Sequence, residues 1–259
     1  MNGATGTNDI EGKATRVGAS ERGQRVSFNT NEPRRVSKFV LIGVYSWLCL
    51  AIAMAQPKNE KIRYAVIGDS YSCGEGATPK ESWPALLTQH LNAQGLHVDL
   101  VSNPSVTGWT TKDAIDKELP KFVRSNPNFA TLLLGVNDWV QGIDEITFRN
   151  RFSYLLDQML AVLSNKKRLL VVTIPDFGVT PTGPKYSRGR NIHEGIRQFN
   201  QIVTEEARKR GLEVVDIFPL SKKMGEDKSL VAKDGLHPSA KAYAEWEKLI
   251  FPAALDLLR

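Results

Sequence analysis

Ser70 is the side chain of this sequence best placed to act as a nucleophile. It stands in the segment Gly68-Asp69-Ser70-Tyr71-Ser72, directly after the apolar run 64–67. Such a run is typical of a buried strand, and Gly-Asp-Ser is typical of a tight turn at its end. We therefore expect Ser70 at the carboxyl end of a strand, where open α/β sheets bind ligands. By itself the segment is equally compatible with an ordinary surface turn.

Three further loops that follow predicted strands carry polar residues of the kind that active sites use. The second predicted strand leads into Asn103-Pro104-Ser105-Val106-Thr107-Gly108-Trp109, and the third into Gly135-Val136-Asn137-Asp138. The fifth is followed by the segment Asp234-Gly235-Leu236-His237-Pro238. Because the carboxyl ends of parallel strands lie at one edge of a sheet, these segments are expected to meet there.

Strand and helix patterns alternate from residue 61 onward, which favours βαβ units and a parallel sheet. The sequence predicts one α/β domain from about residue 60 to residue 259, with three α/β/α layers and a flavodoxin-like five-stranded parallel sheet in the order 2-1-3-4-5. The predicted strands are 62–67, 97–101, 129–135, 169–174 and 212–218, and the predicted helices are 83–93, 111–124 with a kink or break at Pro120, 144–165, 192–211 and 240–258. Asp176 to Gly189 is a long connection that we interpret as a lid or rim beside the site.

In this order the four blocks resemble the SGNH (GDSL) hydrolase family, which is named after a Ser, a Gly, an Asn and a His matched here by Ser70, Gly108, Asn137 and His237. The resemblance is nearest to secreted bacterial GDSL-type esterases and covers the chain from about Arg63 to the C-terminus. It implies a serine esterase that hydrolyses carboxylic acyl esters of lipids or carbohydrates through an acyl-enzyme. It implies no cofactor and no metal, and the sequence has no Cys/His cluster with zinc-site spacing.

The resemblance assigns a catalytic triad to Ser70, Asp234 and His237. Serine needs a base to take its proton, and a histidine oriented by a carboxylate performs that step in serine hydrolases. The alternative is that Asp234-Gly235 forms a plain turn and that His237 simply begins the last helix. His90, His97 and His193 have no comparable setting in the sequence, and we interpret them as surface or packing residues.

The resemblance also assigns an oxyanion hole to the backbone N–H groups of Ser70 and Gly108 and the side-chain amide of Asn137. Asn137 could instead cap the next helix. Asp69 is expected to order the turn through hydrogen bonds to backbone N–H groups and is not assigned to the triad.

Three aromatic residues, Tyr71, Trp109 and Trp139, adjoin these positions and are candidate substrate-binding residues, with buried packing as the alternative. Cys73 lies close to Ser70, but a lone cysteine most often packs as a small hydrophobic residue.

The N-terminal region differs in composition from the rest of the chain. Residues 1–35 are polar and are predicted to be a disordered leader. Residues 36–55 have a basic flank, an apolar run from Phe39 and an Ala-x-Ala end at Ala55, which predicts a signal peptide and a periplasmic or secreted protein. The alternative is an uncleaved membrane anchor, with membrane association through residues 39–55.

The charge balance gives little support for nucleic-acid binding. The formal net charge is +6, and half of it belongs to the first 55 residues. We therefore expect a small-molecule or polymer-borne acyl ester as the partner and no nucleic acid. Two other functions remain open at this stage: acyl transfer to an alcohol other than water, and a non-catalytic binding protein on the same fold.

Overall fold

The computed structural model describes residues 60–259, in which five parallel strands form one sheet. The strands are β1 (Lys61–Gly68), β2 (His97–Ser102), β3 (Phe129–Leu133), β4 (Leu169–Val172) and β5 (Glu213–Val215). Their order across the sheet is β2-β1-β3-β4-β5, which confirms the predicted topology. The leader 1–35 and the segment 36–55 lie outside the described residues.

Helices cover this sheet and complete a three-layer α/β/α fold. The helices are α1 (Ser70–Cys73), α2 (Trp83–Ala93), α3 (Thr111–Asp113), α4 (Leu119–Ser125), α5 (Val136–Gln141), α6 (Glu145–Val162), α7 (Ile192–Lys209), α8 (Phe218–Ser221) and α9 (Ala240–Leu258). One group consists of α2 packed on α9, and the other consists of α6 packed on α4 and α7. The predicted bounds of α2 and α9 agree with the structure residue for residue.

The core is built on β1 and β3, the central pair of strands. Tyr64, Ala65, Val66 and Ile67 are all fully buried, as is every residue of β3. Apolar side chains on both faces of these strands explain the near-continuous hydrophobic runs in the sequence. The one hydroxyl within β3, that of Thr131, is bonded to the Tyr64 hydroxyl at 2.8 Å. The rigid centre of the sheet therefore carries the loops that begin at Gly68 and Leu134.

The helix predicted over 111–124 is interrupted, as Pro120 indicated. A π-helical turn over Ala114–Glu118 separates α3 from α4, and Pro120 lies in the first turn of α4. Proline has no N–H to donate within a helix, and the wider turn accommodates it.

Three strands, β3, β4 and β5, end earlier than predicted, and after β4 and β5 side chains take over backbone hydrogen bonds. After β4, the N–H and the C=O of Ile174 are both bonded to the Asn200 amide, at 2.7 and 2.8 Å. After β5, the Ile217 N–H is bonded to the Thr173 hydroxyl at 2.9 Å, and Phe218 starts α8. Backbone groups satisfied in this way need no strand partner.

None of the helices found within residues 60–259 has the length and apolar character needed to cross a membrane.

Candidate active site

Ser70 is the first residue of α1 and lies in a turn that is held from both sides. Asp69 is the N-cap residue, and its carboxylate accepts a hydrogen bond from the Tyr71 N–H at 3.1 Å. The Ser70 carbonyl accepts bonds from Gly74 and Glu75 at 3.2 and 2.9 Å. At the first position of a helix, the Ser70 N–H has no intrahelical acceptor. The turn thus places a nearly buried hydroxyl and a backbone donor together at the end of β1.

Asp234 and His237 form a hydrogen-bonded pair. His237 Nδ1 lies 2.6 Å from Asp234 Oδ2, while Asp234 Oδ1 accepts the N–H groups of Leu236 and His237 at 2.8 and 3.0 Å. Burial raises the pKa of the Asp234 carboxyl, but the hydrogen bonds from His237 and from the backbone outweigh it and leave the pKa below its ordinary value. An ionised Asp234 fixes the Nδ1–H tautomer and leaves Nε2 as the atom that can exchange a proton.

The pair lies next to the segment that begins with Ser70. The His237 ring meets the Tyr71 ring edge-on, with centroids 6.2 Å apart. A Cβ on Gly76, in the loop after α1, would approach the Cβ of His237 to 3.2 Å. The structure therefore brings the turn that carries His237 against the segment that carries Ser70.

Asn137 links the third block to the second. Its side-chain N–H is bonded to the Trp109 carbonyl at 2.9 Å, and Trp109 directly follows Gly108. Gly135, not Asn137, is the N-cap residue of α5, so Asn137 does not cap this helix. The amide carries a second N–H, which remains for another acceptor. Gly108 has a φ of 84°, a left-handed conformation that suits glycine, and nothing lies within 4 Å of the place where its Cβ would be.

A neighbouring pair, Thr111 and Asp138, fastens the same two loops and was not anticipated from the sequence. The Asp138 carboxylate accepts the Thr111 N–H at 2.8 Å and the Thr111 hydroxyl at 2.5 Å. Burial raises the pKa of Asp138, and the bonds from Thr111 partly oppose this shift. The sequence offered only a polar residue after Asn137 and a threonine after the second block as a signal. The fold is needed to show that these two side chains are in contact.

The loop that carries Gly108 is also tied to the loop after α1. The Thr107 hydroxyl donates to the Glu75 carboxylate at 2.7 Å. Glu75 is itself held at its carbonyl by the Tyr243 hydroxyl at 2.8 Å. Thr107 directly precedes Gly108, so this bond orients the segment that carries the predicted oxyanion donor.

Buried carboxyl groups lie behind Ser70. Burial raises the pKa of Asp69 to about 7, against the hydrogen bond from the Tyr71 N–H. Burial likewise raises the pKa of Glu118 to about 8, against the bond that Gly68 donates to its carboxylate at 3.0 Å. The charge of Asp69 adds to the shift at Glu118. Both groups are fully buried and accept hydrogen bonds from backbone N–H groups of the turn.

The three candidate aromatic residues differ in exposure. Tyr71 and Trp139 are 3% and 4% exposed, which favours the packing alternative for both. Trp109 is partly exposed beside Gly108, with the ammonium groups of Lys117 and Lys121 at 5.0 and 5.9 Å from its ring. Of the three, Trp109 is the one with a partly exposed ring, whereas the buried Tyr71 ring contacts His237.

Cys73 is half-buried, and its thiol contacts the Ser70 carbonyl at 3.4 Å. Burial raises the pKa of this thiol, which disfavours the nucleophilic thiolate.

Two histidines that were interpreted as surface or packing residues are paired with buried carboxylates. His193 Nδ1 lies 2.7 Å from Asp176 Oδ2, and His90 Nδ1 lies 2.8 Å from Glu247 Oε2. Both histidine side chains are about half exposed, whereas both carboxylates are buried. Their partners are 17 and 157 residues away in the sequence, so spacing gave no signal.

The long connection after β4 forms a rim beside the Asp234 turn. It contains two short 3₁₀ turns, Phe177–Val179 and Gly183–Tyr186. Between them, Thr182 donates its N–H to the Gly235 carbonyl at 2.8 Å and its hydroxyl to the Asp234 carbonyl at 3.2 Å.

Comparisons with known proteins identify the family and the fold. Residues 66–245 match the family model of the GDSL-like lipase/acylhydrolase family. No curated protein matches the chain.

Solved structures with the same fold include TesA, at 22% identity and a TM-score of 0.61 over 75% of this chain and 99% of that one. A psychrotrophic esterase EstA from Pseudoalteromonas sp., inhibited by monoethylphosphonate, is 20% identical, with a TM-score of 0.59 over 76% and 99%. A family 3 carbohydrate esterase of Clostridium thermocellum is 21% identical, with a TM-score of 0.59 over 77% and 98%. The chain belongs to the GDSL-like lipase/acylhydrolase family and is a carboxylic ester hydrolase of that type.

Proposed function

We propose that this protein is a serine esterase that cleaves carboxylic acyl esters through an acyl-enzyme formed on Ser70. The observation that carries the proposal is the 2.6 Å bond from His237 Nδ1 to Asp234 Oδ2, on a turn that packs against the Ser70 segment. A histidine held in this way has Nε2 free to act as the base that a serine nucleophile requires.

In the first half of the proposed reaction, His237 Nε2 takes the Ser70 proton as Oγ attacks the ester carbonyl. The resulting imidazolium is stabilised by the ionised Asp234. The carbonyl oxygen becomes negatively charged in the tetrahedral intermediate and needs donors that are already in place. We assign that role to the N–H groups of Ser70 and Gly108 and to the second side-chain N–H of Asn137.

Collapse of the intermediate breaks the ester bond, and His237 returns the proton to the leaving alcohol. In the second half, His237 takes a proton from water, the hydroxide attacks the acyl-Ser70 carbonyl, and the acid leaves as Ser70 regains its proton. Every proton in this sequence passes through one nitrogen, so the orientation of His237 is the central requirement. We further propose that Trp109 borders the substrate, which is a small-molecule or carbohydrate-borne acyl ester.

Covalent labelling tests the proposal directly. A fluorophosphonate should add one label per chain, on the peptide that contains Ser70, and Ser70→Ala should abolish both labelling and hydrolysis of aryl esters. Cys73→Ala is the matched control, three residues away, and should label normally. Labelling at Cys73, or an active Ser70→Ala protein, would remove Ser70 from the site.

We also propose that residues 36–55 direct export and that cleavage after Ala55 leaves a mature chain that begins at Gln56. The apolar run and the Ala-x-Ala end support this proposal. N-terminal sequencing of the secreted protein should read from Gln56. Recovery of the full chain from membranes would instead indicate an uncleaved anchor.

A further inference from the structure

A pocket of about 330 Å³ lies beside the loop that connects β4 to α7. Its polar lining includes Arg190, His193 and the buried Asp176, whose carboxylate is bonded to His193. Neither Arg190 nor His193 belongs to the predicted triad or to the predicted oxyanion hole.

Arg190 is held in place before any ligand arrives. Its guanidinium lies 3.9 Å from the centre of the Trp139 ring and donates to the carbonyl oxygens of Ser187 and Val140, at 3.3 and 3.2 Å. A guanidinium has five N–H donors, and these two bonds leave three of them uncommitted. Among residues 60–259, none of the salt bridges formed involves Arg190, so its charge is not neutralised by a carboxylate there.

His193 is oriented by Asp176 in the same way that His237 is oriented by Asp234. Nδ1 is bound to the carboxylate at 2.7 Å, which leaves Nε2 on the half-exposed side of the ring. Both Asp176 oxygens are engaged, since Oδ1 accepts the Gly178 N–H at 3.1 Å, and the residue is 1% exposed. Asp176 therefore lines the pocket with both carboxylate oxygens already bonded and almost none of its surface exposed.

The surrounding segment is cationic. Residues 177–193 contain Lys185, Arg188 and Arg190 and no aspartate or glutamate. An acidic residue flanks the segment at each end: Asp176 is bonded to His193 at 2.7 Å, and Glu194 is bonded to Arg197 at 2.6 Å. Charge and donors thus favour a negatively charged group in this pocket.

The pocket adjoins the proposed catalytic centre on its β4 side. The Trp139 ring, against which the Arg190 guanidinium lies, is two residues beyond Asn137. Thr182, which belongs to the same loop as Arg190, is bonded to the turn of Asp234 and His237. Burial raises the pKa of Tyr71, the neighbour of Ser70, and the charges of Asp69, Asp176 and Asp234 add to this shift. The contacts of Trp139 and Thr182 thus connect the loop that lines the pocket to the segments that carry Asn137 and His237.

We propose that Arg190 and His193 form a subsite for an anionic group, such as a carboxylate, carried by the ester substrate. This rests on the proposed function, because the bound anion is part of the molecule that Ser70 would attack. The anion can belong to the acyl part or to the alcohol part. Both parts present the same chemistry to a guanidinium, so the experiment separates them.

Two pairs of esters measure the preference for charge. For the acyl part, mono-para-nitrophenyl glutarate is compared with para-nitrophenyl valerate, and for the alcohol part, para-acetoxybenzoate with its methyl ester. The readout is the ratio of kcat/KM for the charged ester to that for its neutral partner. We expect Arg190→Gln to lower this ratio about tenfold or more in one pair, the loss typical of a bond to a charged group. Arg190→Lys should lower it less, and His193→Gln should lower it in the same pair.

Arg197→Gln is the matched control, because it removes an exposed arginine of α7 that is already bonded to Glu194. It should leave both ratios at the wild-type value. If Arg190→Gln leaves the ratio unchanged in both pairs of esters, the proposed subsite is wrong. Melting temperatures show that the variants are folded. If Ser70→Ala also loses activity toward all four esters, the proposed function stands even when the subsite fails. If that variant hydrolyses them normally, the proposed function itself is wrong.

Discussion

Thr182 donates its backbone N–H to the carbonyl oxygen of Gly235 at 2.8 Å and thereby fastens the loop after β4 to the turn that carries the Asp234–His237 pair. Its hydroxyl adds a bond to the Asp234 carbonyl at 3.2 Å. Gly235 has a φ of 73°, and a Cβ there would approach the Thr182 hydroxyl to 2.7 Å. We therefore expect Thr182 to act as a positioning residue for His237.

Replacing the Thr182 hydroxyl should lower kcat and have little effect on KM. Thr182→Val keeps the size of the side chain and the N–H bond but removes the hydroxyl bond. We expect kcat to fall about two- to tenfold, the value of one hydrogen bond, with little change in KM. Thr182→Ser should restore kcat. An unchanged kcat in the valine variant, or a loss that serine fails to restore, would contradict a positioning role.

Neutralising the triad carboxylate should cost far more. In Asp234→Asn the amide can present a donor to Nδ1 and so favour the wrong tautomer of His237. The loss in kcat should reach about 10⁴, as for the corresponding change in the serine protease that serves as the reference case. Circular dichroism checks that the fold persists. Asp227→Asn is the control and should keep the wild-type kcat, because the exposed Asp227 carboxylate is bonded to Lys241 and not to a histidine.

Asn137→Ala should reduce kcat about 10²- to 10³-fold, because it removes one oxyanion donor. KM should change little, since the donor acts mainly on the charged intermediate. Asn137→Asp should be worse, because it places a negative charge beside a developing one.

A variant that loses only a helix-capping side chain provides the comparison for Asn137→Ala. Asp144 caps α6 by accepting the Thr147 N–H at 2.9 Å, so Asp144→Ala should lower the melting temperature and leave kcat unchanged. If Asn137→Ala behaved like Asp144→Ala, Asn137 would have no part in the chemistry.

The buried Glu118 makes stability depend on pH. Its pKa is raised to about 8 in the folded chain, so between its ordinary range and pH 8 the folded state binds more protons than the unfolded state. Stability therefore falls as pH rises through this window. Glu118→Gln keeps an acceptor for the Gly68 N–H and does not ionise.

The melting temperature of Glu118→Gln should consequently fall less between pH 5 and pH 8 than that of the wild type. Glu145→Gln, which changes an exposed glutamate at the start of α6, is the control and should follow the wild-type curve. Parallel curves for wild type and Glu118→Gln would show that Glu118 does not cause the dependence.

The sequence predicted those features that follow from local pattern. The span of α9 follows from apolar periodicity, and the interruption near Pro120 follows from the missing proline N–H. The sheet order follows from the alternation of strands and helices together with the flavodoxin-like topology that this alternation favours. Asp69 was expected to hold the Ser70 turn, and its bond to the Tyr71 N–H confirms this. The placement of Ser70 after β1 and Asn137 after β3 follows from the same topology.

The rest depends on contacts between distant segments. The ends of β4 and β5 are set by the side chains of Asn200 and Thr173, which take over backbone bonds that a strand pattern would assign to a neighbour. The pairing of His193 with Asp176 could not be foreseen, because the loop between them first has to fold back. Catalytic and structural histidine–carboxylate pairs look alike in sequence, and only the neighbourhood of Ser70 distinguishes them.

The loops around Ser70 are linked to one another in a chain of contacts: Glu75 to Thr107, Trp109 to Asn137, Thr111 to Asp138, and Thr182 to Gly235. These loops are consequently unsuited to being exchanged one at a time between related proteins. A loop transplanted alone would arrive without the partner that orients it and would leave a carbonyl or carboxylate of its neighbour unmatched. Engineering a new specificity into this scaffold therefore calls for moving contacting loops in pairs, or for altering side chains such as Trp109 whose backbone is already fixed.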